Sequence, residues 1–233
     1  MRKRFPGWVG IVLTALVLSV AVLSSILLVT LRPGNTGHAA PPPHMARSGM
    51  VFLGDSLAQG VGATTASATL ASRVHRSVAA EEGLWNLSVP GATIKQVQDD
   101  QLARLDSIAP SRIYLVVGAN DVTRQTDPAA FAASYQALVR ALAAKQVPLI
   151  LLNIPKLAST PAIPEVQKAA ADTLTHTLNA HIAASATVAG AKIIDVYTFS
   201  SQNLTPNSGL LADDNYHPND AGYGKLADFV LKQ

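Results

Sequence analysis

One serine in this sequence stands where a catalytic nucleophile would be needed. The apolar run 49–53 stops at Gly54-Asp55-Ser56-Leu57, and two more glycines follow at positions 60 and 62. Glycine, aspartate and serine all favour turns, so the segment could be an ordinary turn. It could also project the Ser56 hydroxyl from the end of a buried strand, as nucleophilic catalysis requires. The rest of the sequence has to decide between these two interpretations.

A serine hydroxyl becomes a good nucleophile only when a base removes its proton, and neutral histidine can do so near pH 7. His217 is the best-placed candidate base, and Asp214 precedes it by three residues. The short loop between them can fold the carboxylate against the imidazole, which orients the ring and stabilises its cation. Pro218 fits the first turn of a helix, so we expect the helix dipole to disfavour protonation of His217. Ser56, Asp214 and His217 are therefore the predicted catalytic residues.

Short apolar runs rich in β-branched residues predict the strands that would position these side chains. Helical patterns separate the runs, and this alternation is typical of a parallel sheet covered by helices on both faces. We expect a three-layer α/β/α sandwich with a five-stranded, mainly parallel, flavodoxin-like sheet. The predicted strands are Met50–Leu53, Leu84–Val89, Arg112–Val117, Pro148–Asn153 and Lys192–Tyr197.

Four stripes of apolar residues recur at helical spacing between and after these strands. Pro128 and Pro164 fit the first turns of the second and third predicted helices. The stripes are Leu70, Val74 and Val78; Phe131, Tyr135, Leu138 and Leu142; Val166, Ala170, Leu174, Leu178 and Ile182; and Tyr223, Leu226 and Val230.

Polar clusters follow four of the five predicted strands. The serine turn follows the first, NLSVPGAT with Gly91 overlaps the end of the second, and GAND with Asn120 follows the third. After the fifth strand, across a loop, comes DDNYHPND with Asp214 and His217. Because ligand sites in such sheets lie beyond the carboxyl ends of the strands, the four clusters should converge on one edge.

Together these residues resemble the GDSL esterase/lipase family, also called SGNH hydrolases. The four marker residues of that family match Ser56, Gly91, Asn120 and His217, and the motifs GDSL, GAND and D-x-x-H, which begins at Asp214, match as well. The resemblance covers residues 49–233 and implies hydrolysis of lipids, acyl thioesters or acetylated carbohydrates through an acyl-enzyme, with neither cofactor nor metal. Taken singly, each residue has an ordinary explanation as a turn, a helix cap or a loop histidine.

A serine hydrolase also needs donors for the oxyanion of its tetrahedral intermediate. The expected donors are the backbone amide of Ser56, the amide of Gly91 and the side-chain amide of Asn120. Asp55 and Asp121 are expected to be structural and to bind nearby backbone amides.

Further features of the sequence lead to expectations about loops and surface residues. Ser88 stands where family members often have glycine, two residues after the asparagine at position 86. The conformation of the loop before Gly91 therefore does not follow from the resemblance. The loop IPKLASTPAI, residues 154–163, could wall the acyl pocket or simply connect two elements. His75, His176 and His181 lie on predicted helices without matched carboxylate partners and are expected at the surface.

The charge distribution separates the N-terminus from the rest of the chain. The formal net charge is +3, but four of the 18 basic residues flank one apolar segment and all 15 acidic residues lie beyond it. With no basic run in the body of the chain, a nucleic-acid partner is not expected. The absence of cysteine excludes disulfides, thiolate zinc sites and cysteine nucleophiles.

Residues 8–31 form an uncharged run of 24 residues, which as a helix would be about 36 Å long, enough to cross a hydrocarbon core of about 30 Å. Three basic residues precede it, so the positive-inside rule predicts a cytoplasmic tail at 1–7 and an extracytoplasmic catalytic domain at 49–233. Residues 32–48 are Pro-rich and read as a linker. The competing interpretation is a secreted protein whose signal peptide is cleaved at TGHAA, residues 36–40.

The sequence thus predicts a membrane-anchored, extracytoplasmic serine hydrolase that cleaves carboxylic esters or thioesters of a small molecule, a lipid or a glycan. The alternatives are an O-acyltransferase acting on envelope glycans and a catalytically silent binding module held at the membrane. No pattern in the sequence indicates an oligomeric state.

We expect the exported protein to keep its first 40 residues and to stay in the membrane fraction, because an uncharged run of 24 residues exceeds the roughly 7–15 of a signal peptide. Intact-mass measurement of the exported protein checks this. A new N-terminus near residues 39–41 would contradict it.

Overall fold

A sheet of five parallel strands runs through the centre of the computed structural model, which describes residues 48–233. The strands lie side by side in the order β2-β1-β3-β4-β5, the order of flavodoxin-like sheets, and all four pairings are parallel. The predicted five-stranded parallel sheet is therefore confirmed. The strands are β1 (Ser48–Gly54), β2 (Gly83–Asn86), β3 (Ala109–Val116), β4 (Leu149–Leu152) and β5 (Lys192–Ile194).

Two strands end well before the predicted positions, and at each of these ends a polar side chain accepts a hydrogen bond from a backbone amide two or three residues further along. β2 was expected to reach Val89, but it ends at Asn86, whose side chain accepts a hydrogen bond from the Ser88 amide at 3.2 Å. β5 was expected to reach Tyr197, but Asp195 caps a helix that includes this residue.

Eight α-helices surround the sheet within residues 48–233. They are α1 (Ser56–Gln59), α2 (Leu70–Val78), α3 (Ile94–Gln96), α4 (Ala119–Thr123), α5 (Pro128–Ala143), α6 (Glu165–Ala189), α7 (Val196–Asn203) and α8 (Asp220–Leu231). After α3 the chain continues as a π-helical turn, Val97–Gln101, and a 3-10 segment, Leu102–Ser107. Further 3-10 turns are Ala66–Ala68 and Leu157–Ser159.

The four predicted helical stripes correspond to α2, α5, α6 and α8, and Pro128 lies in the first turn of α5 as expected. Two details at the start of α6 are wrong. Pro164 is the N-cap rather than a first-turn residue, and Val166 is 92% exposed. The apolar stripe of α6 becomes buried only further along, at Leu178 and Ile182.

Each face of the sheet buries its own hydrophobic cluster. Val51 and Leu53 of β1 face one cluster, together with residues of α5 and α6, whereas Met50 and Phe52 face the other, with residues of α2 and α8. Adjacent strand residues point to opposite faces, so both faces of β1 are apolar and both are covered by helices.

No helix within residues 48–233 has the length and apolarity needed to span a membrane. The predicted tail, membrane span and nearly all of the predicted linker lie outside the described residues.

The register of β1 and β3 brings the turns that follow them together at the carboxyl edge. Gly54 lies opposite Val116, and the amide of Asp55 donates to the Val116 carbonyl at 3.0 Å. Gly54 has φ of 142°, and a Cβ there would lie 1.9 Å from the Val116 carbonyl oxygen. Only glycine therefore allows these two turns to approach each other.

Candidate active site

Ser56, His217 and Asp214 form a hydrogen-bonded chain at the carboxyl edge of the sheet. Nε2 of His217 lies 2.8 Å from Oγ of Ser56, and Nδ1 lies 2.5 Å from Oδ2 of Asp214. The other oxygen of Asp214 accepts hydrogen bonds from the amides of Tyr216 and His217, each at 2.9 Å. The carboxylate is thus fixed and favours a proton on Nδ1, which leaves Nε2 free to accept the Ser56 proton.

The Ser56 side chain leaves β1 on a tight turn and begins α1. Asp55 is the N-cap of this short helix, and its Oδ1 accepts a hydrogen bond from the Leu57 amide at 3.0 Å. Gly60 ends α1 in the left-handed conformation. Gly54 and Gly60 therefore let the chain turn sharply on either side of Ser56, which is itself 8% exposed.

His217 lies in the loop just before the amino end of α8, as predicted, but the predicted first-turn position of Pro218 is wrong. α8 begins at Asp220 with Asn219 as its N-cap, so Pro218 lies outside the first turn. Pro218 pairs instead with Leu211 in an isolated antiparallel bridge. The effect of a helix dipole falls off within the first turn, so Asp214 rather than the dipole dominates the surroundings of His217.

Two contacts hold the His217 loop against the segment that follows Ser56. The Asp220 carboxylate accepts hydrogen bonds from both the amide of Thr64, at 2.8 Å, and its hydroxyl. A Cβ on Gly62 would lie 2.4 Å from the Pro218 carbonyl oxygen, so the two backbones touch there. These contacts join positions about 156 residues apart, and no local pattern in the sequence predicts them.

The three predicted oxyanion donors surround the Ser56 turn. The amide of Val89 donates to the Gly54 carbonyl at 3.0 Å, which holds the loop that carries Gly91 beside this turn. The side-chain amide of Asn120 donates one N–H to the Ala92 carbonyl at 3.1 Å, and its other N–H has no protein acceptor among the described residues. Within residues 48–233, the backbone amides of Ser56 and Gly91 donate to no protein group.

Helix α4 holds the Gly91 loop at three points. Besides Asn120, the Asp121 carboxylate accepts from the amide of Ile94 at 2.9 Å, and the Arg124 guanidinium donates to the Gly91 carbonyl at 2.8 Å. Sequence reasoning missed Arg124, because its partner Gly91 lies 33 positions away and no spacing pattern links the two. Asp55 and Asp121 bind backbone amides, as expected.

Ser88, the departure from the family pattern, links the Gly91 loop to α1. Its hydroxyl donates to the Gln59 side chain at 2.9 Å and also contacts the side chain of Asn86. Asn86 in turn donates to the Ala58 carbonyl at 2.8 Å. The serine is therefore accommodated by hydrogen bonds that a glycine could not make.

Two carboxyl groups near the nucleophile have pKa values shifted in opposite directions. Burial opposes the ionisation of Asp214, but the hydrogen bond and the positive charge of His217, aided by two backbone amides, outweigh it and lower the pKa of Asp214. Asp55 is 2% exposed, and burial raises its pKa to about 7 against the opposing effects of the Leu57 amide and His217. Asp214 is thus held as the anion and Asp55 toward the neutral acid.

A small, mainly apolar pocket lies at Ser56 and His217, with a cavity volume of about 30 Å³. The loop 154–163 forms one wall through four of its residues, as the first of its two interpretations expected. The remaining walls are mostly aliphatic and include Leu57, Val196, Leu204 and Leu226.

The expectation for His176 is partly wrong. Its Nε2 lies 4.0 Å from the Asp172 carboxylate and 3.0 Å from the Tyr197 hydroxyl, so it does have a carboxylate neighbour, one turn earlier on α6. Its side chain is 64% exposed, which agrees with the expected surface position. His75 contacts the Glu82 carbonyl at 2.9 Å.

Comparison with known proteins identifies one protein family. The family described as GDSL-like lipase/acylhydrolase has a model that matches residues 52–225. The comparison with curated proteins found no significant match.

Several solved structures share the fold. A member of the lipolytic G-D-S-L family from Veillonella parvula has a TM-score of 0.65 at 18% identity, covering 79% of this chain and 97% of its own. The esterase EstA from Pseudoalteromonas sp. has a TM-score of 0.64 at 20% identity, covering 79% and 94%. An acetyl xylan esterase has a TM-score of 0.60 at 21% identity, covering 79% and 98%. At these identities the likeness shows the fold alone.

Asn120→Ala should lower kcat by about 10²–10³ with little change in KM, because an oxyanion donor acts mainly in the transition state. Asn120 is not a helix cap, since Gly118 is the N-cap of α4, so loss of a cap should not complicate the result. Steady-state kinetics and thermal unfolding of the same preparation measure both effects. Thr123→Ala on the same helix is the control, and a near-normal kcat with a lowered Tm in Asn120→Ala would contradict the role.

Asp55→Asn should gain stability over the wild type as pH rises from about 4 to 7. The pKa of Asp55 is raised from 3.8 to about 7, so the folded wild type binds the proton more tightly and loses stability as pH rises through this range. Asparagine stays neutral and can still accept from the Leu57 amide. The relative gain should reach at most about 4 kcal/mol. Urea unfolding of both proteins at several pH values checks this, and parallel pH curves would contradict it.

Proposed function

The chain belongs to the GDSL-like lipase/acylhydrolase family, and from this premise we propose which residues perform its chemistry, on what substrates and where. It is a serine hydrolase of ester bonds. The observation that carries the assignment of residues is the unbroken hydrogen-bonded chain from Ser56 through His217 to Asp214.

In the proposed reaction, Oγ of Ser56 attacks the ester carbonyl carbon while Nε2 of His217 takes the hydroxyl proton. Asp214, held as the anion, stabilises the resulting imidazolium. The carbonyl oxygen becomes an oxyanion and receives hydrogen bonds from the amides of Ser56 and Gly91 and from the side chain of Asn120.

The tetrahedral intermediate then collapses to an acyl-enzyme. The bond from carbon to the leaving oxygen or sulfur breaks, and the leaving group takes the proton from Nε2 of His217. Water attacks the acyl-enzyme in the second half, with His217 again as the base, and the carboxylic acid leaves as the Ser56 hydroxyl is restored. This cycle consumes one water per ester and needs no other reactant.

The proposed substrates are carboxylic esters or thioesters: lipids, acyl thioesters or O-acetylated glycans. The proposed location outside a membrane favours envelope lipids or acetylated wall glycans. The aliphatic walls of the pocket at Ser56 support an apolar acyl group. A protein of the same fold is named an acetyl xylan esterase, which supports including acetylated glycans.

The proposed location is the outer side of a membrane, with residues 8–31 as a single-pass anchor and 32–48 as a linker. The uncharged run and the basic residues before it support this proposal. Secretion after signal cleavage is the alternative.

A fluorophosphonate probe should label the full chain at Ser56, and Ser56→Ala should abolish both the labelling and the turnover of p-nitrophenyl esters. A panel of these esters from acetyl to palmitoyl, assayed on the wild type, also gives the acyl length that the pocket accepts. Ser77→Ala, which changes an exposed helical serine far from His217 in sequence, is the control and should label normally. Labelling that persists in Ser56→Ala would assign the nucleophile to another residue.

A further inference from the structure

The side chain of Gln101 takes the place of a strand residue beside the Ser56 turn. Its Oε1 accepts a hydrogen bond from the Gly54 amide at 2.9 Å, and its Nε2 donates to the Gly54 carbonyl at 2.8 Å. Gln101 is 1% exposed, so water does not compete for either bond. The primary amide thus offers Gly54 one acceptor and one donor, as a peptide group of a neighbouring strand would.

The neighbouring strand is missing at this point. β2 ends at Asn86, which lies opposite Phe52. Backbone amides of the segment beyond it still donate to carbonyls of β1, and the amide of Val89 donates to the Gly54 carbonyl. Within residues 48–233, no backbone carbonyl accepts the Gly54 amide. A buried amide without a partner is costly, and Gln101 removes this cost.

Gln101 reaches Gly54 from an irregular helix. It is the last residue of the π-helical turn Val97–Gln101, which is followed directly by a 3-10 segment. Single π-helical turns are uncommon and are frequent at functional sites. The two hydrogen bonds anchor the final residue of this π-helical turn to the backbone that precedes the proposed nucleophile.

Gly54 needs such an anchor. It has no side chain and φ of 142°, a conformation open to glycine alone, so its backbone has little intrinsic preference for one orientation. Ser56 follows two residues later, and both its hydroxyl and its amide must point at the reacting carbonyl. The Gly54 carbonyl also receives the Val89 amide from the Gly91 loop. Gln101 and Gly91 line one further cavity, so the nucleophile turn, the oxyanion loop and Gln101 are neighbours.

We infer that Gln101 is a positioning residue: by clamping both polar groups of Gly54, it sets the orientation of Ser56 relative to Gly91. This inference rests on the proposed function. The competing explanation is that Gln101 only satisfies buried backbone groups and stabilises the fold. The two explanations differ in what happens to the reactivity of Ser56 in a folded variant.

Gln101→Leu removes both hydrogen bonds at similar size. In the full chain it should lower kcat for p-nitrophenyl acetate at least tenfold with little change in KM, and it should slow fluorophosphonate labelling of Ser56 by a similar factor. Its Tm should also fall, so both assays are run well below it. Gln98→Leu is the matched control, because Gln98 lies in the same π-helical turn without bonding to Gly54. Normal kcat and labelling in a folded Gln101→Leu protein would overturn the inference.

Gln101→Glu tests the same point if the leucine variant does not fold. A protonated glutamic acid can still accept from the Gly54 amide and donate to its carbonyl, whereas the ionised form repels that carbonyl. The ratio of variant to wild-type kcat should therefore rise toward one as pH falls, and dividing by the wild type cancels the titration of groups common to both. A ratio that stays constant with pH would overturn the inference.

These outcomes are separable from a failure of the proposed function. If Ser56→Ala abolishes turnover while both Gln101 variants react normally, only the positioning role is wrong. If Ser56→Ala retains turnover, the assignment of the nucleophile is wrong, and the positioning role falls with it.

Discussion

The approach of β1 to β3 at their carboxyl ends leaves no room for a side chain on Gly54. The Val116 carbonyl oxygen occupies the place where a Cβ would stand, and it also accepts the amide of Asp55. This contact places the turn with Ser56 beside the turn with Asn120, since the two follow paired strands directly. The relative placement of Ser56 and Asn120 therefore depends on one backbone contact that only glycine permits.

Two aspartates close to Ser56 differ in ionisation because their surroundings differ. Asp214 contacts an imidazole and two backbone amides, which stabilise its anion in spite of burial. Burial outweighs the two backbone amides near Asp55, those of Leu57 and Gly118, so its neutral form is favoured. One negative charge rather than two near His217 suits a site that must form one imidazolium and one oxyanion together.

The loops that supply the site are held by hydrogen bonds between distant parts of the chain. Arg124 and Asn120 hold the Gly91 loop, and Asp220 holds the His217 loop to the segment after Ser56. Pre-organised donors stabilise a transition state because they need not reorient during the reaction. The short helix α4 thus carries one proposed oxyanion donor, Asn120, and supports the loop of another, Gly91.

The sequence by itself determined the family, the strand-helix alternation and the five candidate residues for the triad and the oxyanion hole, because glycine turns, apolar periodicity and short motifs are local signals. It misplaced the ends of β2 and β5 and the start of α8, where side-chain hydrogen bonds decide between competing local structures. Only the tertiary structure disclosed Gln101 and Arg124, whose partners lie 47 and 33 positions away. A hydrogen bond from a side chain to a distant backbone leaves no periodicity or spacing in the sequence, because it depends on how the folded elements come together.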